Sequence, residues 1–297
     1  MPRMKLKGMF VPHITPFSHN GELDLTALRT CVRFWLKGGV SGLVPCGSNG
    51  EAPYLSREER IKVIQTVTDE VNGKIPVIAG TGSMSTKETI LFTKDAKDLG
   101  ADAVLIVTPF YYKPSNKETH EHYKAVLDAV DIPIVLYSVP KFTGFPLEPV
   151  TIAQLASEYE NIIGIKDSGG NLGTITETIR TAGDKISVLA GTADLALSTL
   201  MLGGSGAVVA VANAFPRMCT DLYESFLKSD YKKAGDLQRS ISYMNEVLVK
   251  RHNQLSAIKE ALNKIGLPAG YPRRPALPLD NKEKKEIENL ITHFVKP

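Results

Sequence analysis

Three cysteines in 297 residues, Cys31, Cys46 and Cys219, stand far apart, are odd in number and form no CxxC pair. A disulfide framework and a structural zinc site are therefore not expected, and the thiols read as reduced. No apolar run approaches the roughly 20 residues of a membrane span, and the N-terminal MPRMKLKGMF, though positive, has no apolar stretch of signal-peptide length. Charge of one sign is not in excess either. The 35 basic and 32 acidic residues are mixed along the chain for a formal +3, so neither nucleic acid nor a membrane surface is an expected partner. A soluble, cytoplasmic protein is expected. Metal and dinucleotide patterns are also missing: His120 and His122 are two apart on an expected helix, and His13 lies inside a strand as a bonded core or rim residue. GTGSMS does not complete GxGxxG, while GGSG at Gly203 to Gly206 precedes a strand. No metal or organic cofactor is required.

What is present is one unit repeated, an apolar strand followed by an amphipathic helix about every 28 to 30 residues. The first strand is MFVPHITPF, Met9 to Phe17, and its helix runs from about Leu25 to Lys37. Then come SGLVPCG, IPVIAGTG, DAVLIVTPFYY, IPIVLYSVP, IIGIKDS, ISVLAGTAD and GAVVAVAN. SREE and STKE read as capping boxes, Ser56 with Glu59 and Ser85 with Glu88. A helix is expected from about Lys117 to Ala129. Eight strands, each followed by a helix, make a (β/α)8 TIM barrel, an α/β fold, over residues 1–225. The alternative, a doubly wound sheet over two domains, should show a composition break near the middle, and none is visible. Residues 226–297 read as a C-terminal helical extension, in which LPAGYPRRPALPL is a non-helical tether or, the simpler reading, a plain surface loop before a last helix from about Asn281.

In such a barrel the chemistry collects at the C-terminal strand ends, here Thr15, Ser48, Asn49, Thr81, Tyr111, Tyr137, Lys166, Ser168, Thr192 and Asn213. Lys166 ends an unbroken apolar run in IIGIKDSGG, Ile162 to Gly170. Burial there should lower its pKa below the ordinary 10.4 or so and free the amine to attack a ketone. Snorkelling to solvent or pairing with Asp167 is the other reading. No second amine, carboxylate pair or histidine pair stands at a strand end, which favours the nucleophile. Tyr137, at the end of the preceding strand, can relay protons or simply be a rim aromatic with a bonded hydroxyl. GSNGE, directly before a helix, suits a carboxylate through its backbone amides, or is a structural turn. Glu51 is expected to cap or pair with the helix start.

These motifs, with ITPF, TPFYYKPS, YSVPKFTG and AIKEALNKIGL, resemble the N-acetylneuraminate lyase and dihydrodipicolinate synthase family of class I pyruvate aldolases over nearly the whole chain. The resemblance implies that Lys166 forms a Schiff base with pyruvate or another 2-keto acid and that Tyr137 relays protons. It places the carboxylate and the relay on Ser48 and Asn49. Tyr111 is then the tyrosine lent to a neighbouring subunit of a homotetramer, built as a dimer of dimers. Ser168, Gly191 and Val208 join Ser48 and Asn49 as substrate-binding residues. Dihydrodipicolinate synthases usually carry arginine where this chain has Phe142, a ring that cannot hold a carboxylate bidentately. Lys141 beside it should point elsewhere. Neuraminate lyases have an acidic GYDE-type motif where this chain has GTAD. GSNGE, YSVPxxTG and KDSGG are most similar to 4-hydroxy-2-oxoglutarate aldolase and 2-keto-3-deoxy-sugar-acid aldolases, which implies a lyase joining or splitting pyruvate and an aldehyde. Dihydrodipicolinate synthase, a 2-keto-3-deoxy acid dehydratase, a non-catalytic keto-acid-binding barrel and a phosphate-binding isomerase are the alternatives.

Overall fold

The computed structural model describes residues 4–294. Among them, eight parallel strands stand in the order β2-β1-β8-β7-β6-β5-β4-β3. They are β1 (Gly8–Val11), β2 (Gly42–Leu43), β3 (Ile78–Gly80), β4 (Ala103–Val107), β5 (Ile134–Ser138), β6 (Ile162–Asp167), β7 (Ser187–Ala190) and β8 (Gly206–Val208). A bridge from Leu43 to Val77 brings the two ends of that order together, so the sheet is a nearly closed TIM barrel. The expected first strand is cut short because Pro12 supplies no N–H to a neighbour. The chain leaves the sheet after Val11, and Phe17 makes only isolated bridges, to Leu23 and Gly270 outside the eight strands.

Helices α1 (Leu25–Lys37), α2 (Arg57–Val71), α3 (Thr86–Asp98) and α4 (Asn116–Ala129) follow the first four strands. A short α5 (Pro140–Thr143) and α6 (Pro149–Glu158) follow β5, with α7 (Leu172–Ala182) after β6, α8 (Ala196–Met201) after β7 and α9 (Pro216–Leu227) after β8. The α1 sequence shows why they form. Asp24 caps it by accepting from the Ala27 amide, worth about 1 kcal/mol, and Leu28, Cys31, Val32 and Trp35 recur at helical spacing on the buried face. The boxes at Ser56 and Ser115 are complete. That at Ser85 is half formed, because the Glu88 carboxylate also takes the Ser83 hydroxyl at 2.8 Å. Strand residues alternate between two apolar layers. Phe10, Ile78, Leu105, Val135, Tyr137, Leu189 and Val208 fill the barrel interior, and the opposite set packs under the helices.

Beyond α9, α10 (Tyr231–Asn245) runs into a π-helical turn (Glu246–Arg251), then α11 (Gln254–Lys264) and α12 (Asn281–Phe294). Ile241, Leu248, Ile258, Leu262, Ile287 and Leu290 are buried in the same outer layer as the barrel's helices. The proline-rich segment between α11 and α12 is not the plain surface loop its composition suggests. Tyr271 donates its amide to the Phe17 carbonyl at 3.0 Å. Arg273 grips both Glu59 oxygens at 2.7 Å, donates to the Tyr54 carbonyl, and lies 4.1 Å over the Phe17 ring. A planar, bidentate guanidinium fixes the strap where proline cannot form a ladder.

Two histidines sit neutral in the outer layers. His13 stacks on Trp35 at 4.9 Å with Nδ1 at the Ile14 carbonyl, and burial, against that bond, lowers its pKa to about 4. His122 meets the Thr86 hydroxyl at 2.9 Å, and burial lowers it to about 4. Unfolded imidazoles take a proton near pH 6.5 and these do not until about pH 4, so the unfolded state binds more protons in that window. Stability is therefore expected to fall as pH drops from about 6.5 to about 4, by up to about 3 kcal/mol per histidine. Urea midpoints against pH check this, with His122→Gln giving the shallower decline.

Candidate active site

Register puts the lysine and the tyrosine side by side. Tyr137 on β5 pairs with Lys166 on β6, and Lys166 pairs on its other side with Leu189 of β7. Tyr137 and Leu189 face the barrel interior, so Lys166 does too, and it is 4% exposed. Its ammonium lies 4.2 Å from the centroid of the Tyr137 ring. The snorkelling alternative does not hold for a side chain so enclosed. Burial pushes the Tyr137 phenol up, but the Lys166 charge and hydrogen bonds with Ser48, Ser168 and Lys166 outweigh it, and the net shift is down. A phenol inclined to give up its proton beside an amine is a fitting pair for proton transfer.

Ser48 reaches this pair from the loop after β2. Cys46 and Glu51 bracket that loop with φ of 54° and 57°, and Thr15 holds it by donating to the Gly50 carbonyl at 2.8 Å. The loop lies against β3 where a Cβ on Gly80 would stand 2.1 Å from the Cys46 carbonyl oxygen. It leads into a single 3-10 turn and not, as the sequence reading has it, directly into the long helix. A turn at Ala52–Tyr54 intervenes, α2 begins at Arg57 under its own Ser56 cap, and the Glu51 and Ala52 amides are used on the Ser48 and Gly47 carbonyls. Glu51 therefore does not cap that helix. It pairs with Lys259 of α11 at 2.5 Å, both fully enclosed, and accepts the Arg273 amide at 2.8 Å. Burial lowers Lys259 to about 8, against the pull of Glu51.

The expected site residues divide. Ser48, Tyr137, Lys166 and Ser168 converge. Gly191 makes room for Ser168, since a Cβ there would stand 2.0 Å from its hydroxyl, and Val208 belongs to the barrel interior. Asn49 is turned toward α11, where the Gln254 amide donates to its Oδ1. Tyr111 is not brought to Lys166. It is 83% exposed, has φ of 78° and meets Tyr112 edge-on at 5.0 Å. Thr81 and Asn213 are structural: Thr81 accepts from Thr93, and Asn213 ties Ile14, Pro12 and Ala210 together. Among the described residues no cluster of three or more His, Cys, Asp or Glu is arranged to hold a metal ion.

A cavity of about 690 Å³ opens over the site, lined by Ser48 and Tyr137, then by Lys141 and Phe142 of α5 and by Gln254 at the start of α11. Lys141 thus corrects the expectation that it points elsewhere. Its ammonium donates to the Val249 carbonyl and to Gln254 Oε1, both at 3.3 Å. Gln254, Glu51's partner Lys259 and the buried Arg60 on the cavity wall were not legible in the sequence. They come from helices, where no strand-end rule points to them.

The chain matches the dihydrodipicolinate synthetase family over residues 5–294. It is 40% identical over 285 residues to the 4-hydroxy-tetrahydrodipicolinate synthase of Methanocaldococcus jannaschii, covering 96% of this chain and 97% of that one. The synthase of Thermodesulfovibrio yellowstonii is 39% identical over 285 residues, again covering 96% and 97%. Among solved structures, a dihydrodipicolinate synthase from Aquifex aeolicus superposes with a TM-score of 0.93 at 33% identity, covering 97% and 98% of the two chains. A prophage protein of the dihydrodipicolinic acid synthase family from E. coli K12, solved in complex with pyruvate, gives 0.93 at 31%, with the same coverage.

The contact between Gly191 and Ser168 is directly testable. Gly191→Ala forces its methyl against the Ser168 hydroxyl and, at 2.8 Å, the Asp167 backbone. It is expected to cost roughly 1–3 kcal/mol of stability, measured by denaturant titration. Adding Ser168→Ala, which removes the struck hydroxyl, should recover part of that loss.

Proposed function

The chain belongs to the dihydrodipicolinate synthetase family, a family of pyruvate-dependent class I lyases and synthases, and on that premise we propose how its own residues divide the chemistry. Lys166 is the Schiff-base nucleophile. Its neutral Nζ attacks C2 of pyruvate, water leaves from the carbinolamine, and the imine draws electrons from C3, which loses a proton to become an enamine. The enamine carbon attacks an aldehyde carbon, the new alkoxide takes a proton, and water frees the product and the amine; cleavage runs the same steps backwards. The observation that carries this reading is the Tyr137–Lys166 register pair inside the barrel, with Ser48 and Ser168 bonded to the phenol. Tyr137 and Ser48 shuttle the protons. Ser48 and Asn49 hold the keto acid carboxylate, Asn49 through its amide nitrogen because its oxygen accepts from Gln254. Ser168, Gly191 and Val208 shape the rest of the pyruvate site.

Of the two reactions weighed, the names of the relatives favour condensation of pyruvate with aspartate semialdehyde over cleavage of 4-hydroxy-2-oxoglutarate or a 2-keto-3-deoxy sugar acid. Phe142, 52% exposed on the cavity wall, keeps the second reading open to test. Tyr111, exposed and away from its own Lys166, suits a role in the site of a neighbouring copy within a homotetramer. We place residues 1–225 as the catalytic barrel and 226–297 as an extension to it, working in the cytoplasm without a cofactor.

Borohydride reduction in the presence of pyruvate should leave a covalent adduct that peptide mass spectrometry locates on Lys166, and Lys166→Ala should give none. An unmodified Lys166 in the wild type would sink the reading. Tyr137→Phe is expected to lower kcat by about 10²- to 10⁴-fold, the usual loss for one general acid–base group. Pyruvate consumed with aspartate semialdehyde, against pyruvate released from 4-hydroxy-2-oxoglutarate, separates the two reactions.

A further inference from the structure

Two side-chain amides stand between the mouth of the cavity and the loop that carries Ser48. Gln254 begins α11, and Asn49 follows Ser48 in the chain. A side-chain amide has a donor end and an acceptor end of nearly the same shape, so the partners it meets decide which way it turns. Gln254 meets a partner at each end. Lys141 donates to its Oε1 at 3.3 Å, and its Nε2 donates to Asn49 Oδ1. The direction of the whole line is set at the lysine. An ammonium has donors and no acceptor, so Gln254 has to turn its oxygen to Lys141 and its nitrogen to Asn49, and Asn49 has to answer with its oxygen. The Asn49 Nδ2 is what remains, and among the described residues it donates to none.

The lysine that sets this direction is itself held. Its ammonium also donates to the Val249 carbonyl at 3.3 Å and lies 5.5 Å from the centroid of the Phe142 ring, and both a carbonyl oxygen and a ring face favour a cation. At the other end of the line Asn49 is 4% exposed, so bulk water cannot make good an amide turned the wrong way. Turned the wrong way, Asn49 would show an acceptor oxygen to a carboxylate, and a bond to a charged acceptor would be lost.

We propose that Gln254 is a positioning residue for the keto acid: held by Lys141, it keeps Asn49 turned so that Nδ2, and not Oδ1, meets the substrate carboxylate. The inference rests on the reading above in which Asn49 holds that carboxylate. Neither Gln254 nor Lys141 touches the keto acid in this arrangement. They act on it only through the orientation of one amide, and no aldehyde is involved.

The test uses pyruvate alone, with the rate of adduct formation under borohydride followed against pyruvate concentration. Gln254→Glu puts an acceptor on both sides of the line and draws the Asn49 nitrogen away from the keto acid. Lys141→Glu reverses the line from its other end by drawing the Gln254 nitrogen to itself. Each is expected to raise the half-saturating pyruvate concentration about tenfold or more, the loss of one bond to a charged acceptor, while the maximal trapping rate is kept. Lys141→Arg still only donates and should saturate near the wild-type concentration. In an Asn49→Ala background, itself weaker for pyruvate, neither acidic substitution should weaken it further. An equal further loss there is direct repulsion of pyruvate and overturns the inference, as does a Gln254→Glu chain that saturates like the wild type. Lys141 is exposed, so Lys141→Glu opens no core cavity and carries the test if Gln254→Glu does not fold. Its loss should persist at high salt, which screens exposed charges, and a loss that salt abolishes also overturns the inference. Asn49→Ala with wild-type saturation removes the premise about Asn49 and the inference with it, yet leaves the imine standing, whereas a wild type that forms no adduct ends the Schiff-base reading as well.

Discussion

A buried ion pair governs the mouth of this barrel. Lys259 of α11 and Glu51 of the loop after β2 lie 2.5 Å apart with almost no solvent on either. Two charges taken out of water cost more than they regain unless further bonds satisfy them. Here Lys259 also donates to the Tyr271 carbonyl at 2.7 Å and lies over the Phe17 ring, while Glu51 accepts the Arg273 amide. Removing one partner of such a pair typically costs 3–5 kcal/mol, because the other charge is stranded. The pair thereby fixes α11, the proline-rich strap and the Cys46–Glu51 loop against one another. Ser48 sits on that loop, so the hydroxyl that reaches Tyr137 depends on a lysine more than two hundred residues away.

The second constraint is the strand register. On a pleated strand a one-residue slip turns every side chain to the other face. The irregularity between Ile134 and Val135 in the β5–β6 pairing sets Tyr137 opposite Lys166 and keeps both inside. Asp167, next along the chain, then has to face the other way, where burial raises its carboxyl and Gly169 donates an amide to it. Neighbours in sequence thus become unlike groups in space: an inward amine beside the Tyr137 ring and an outward acid that ties down the following turn.

Much of this was legible in the residues. Strand periodicity, helix caps such as Ser56, and the rule that barrel chemistry gathers at strand ends single out Lys166 and bring Tyr137 beside it, while the proton-relay role of Tyr137 comes from the family resemblance. These signals are local, and local physics decides them. Prolines were the less legible element. Pro12 ended a strand that apolar content alone would have continued, and the prolines after α11 resembled a surface loop although Arg273 clamps that stretch to the barrel. Glu51 looked like a helix cap because a helix signal stood nearby, and its true partner is set by packing between ends of the chain.

By itself the sequence determined the repeat, the barrel and the place of Lys166 on the strand after that of Tyr137, because apolar alternation and strand order depend on residues close together in the chain. The tertiary structure decided what surrounds them. It closed the sheet through Leu43 and Val77, buried Glu51 against Lys259, turned Asn49 to Gln254 and brought Arg60, Lys141 and Phe142 to one cavity. Those outcomes rest on contacts between segments far apart in the chain, and no local spacing encodes which long side chain will find which partner once the helices have packed.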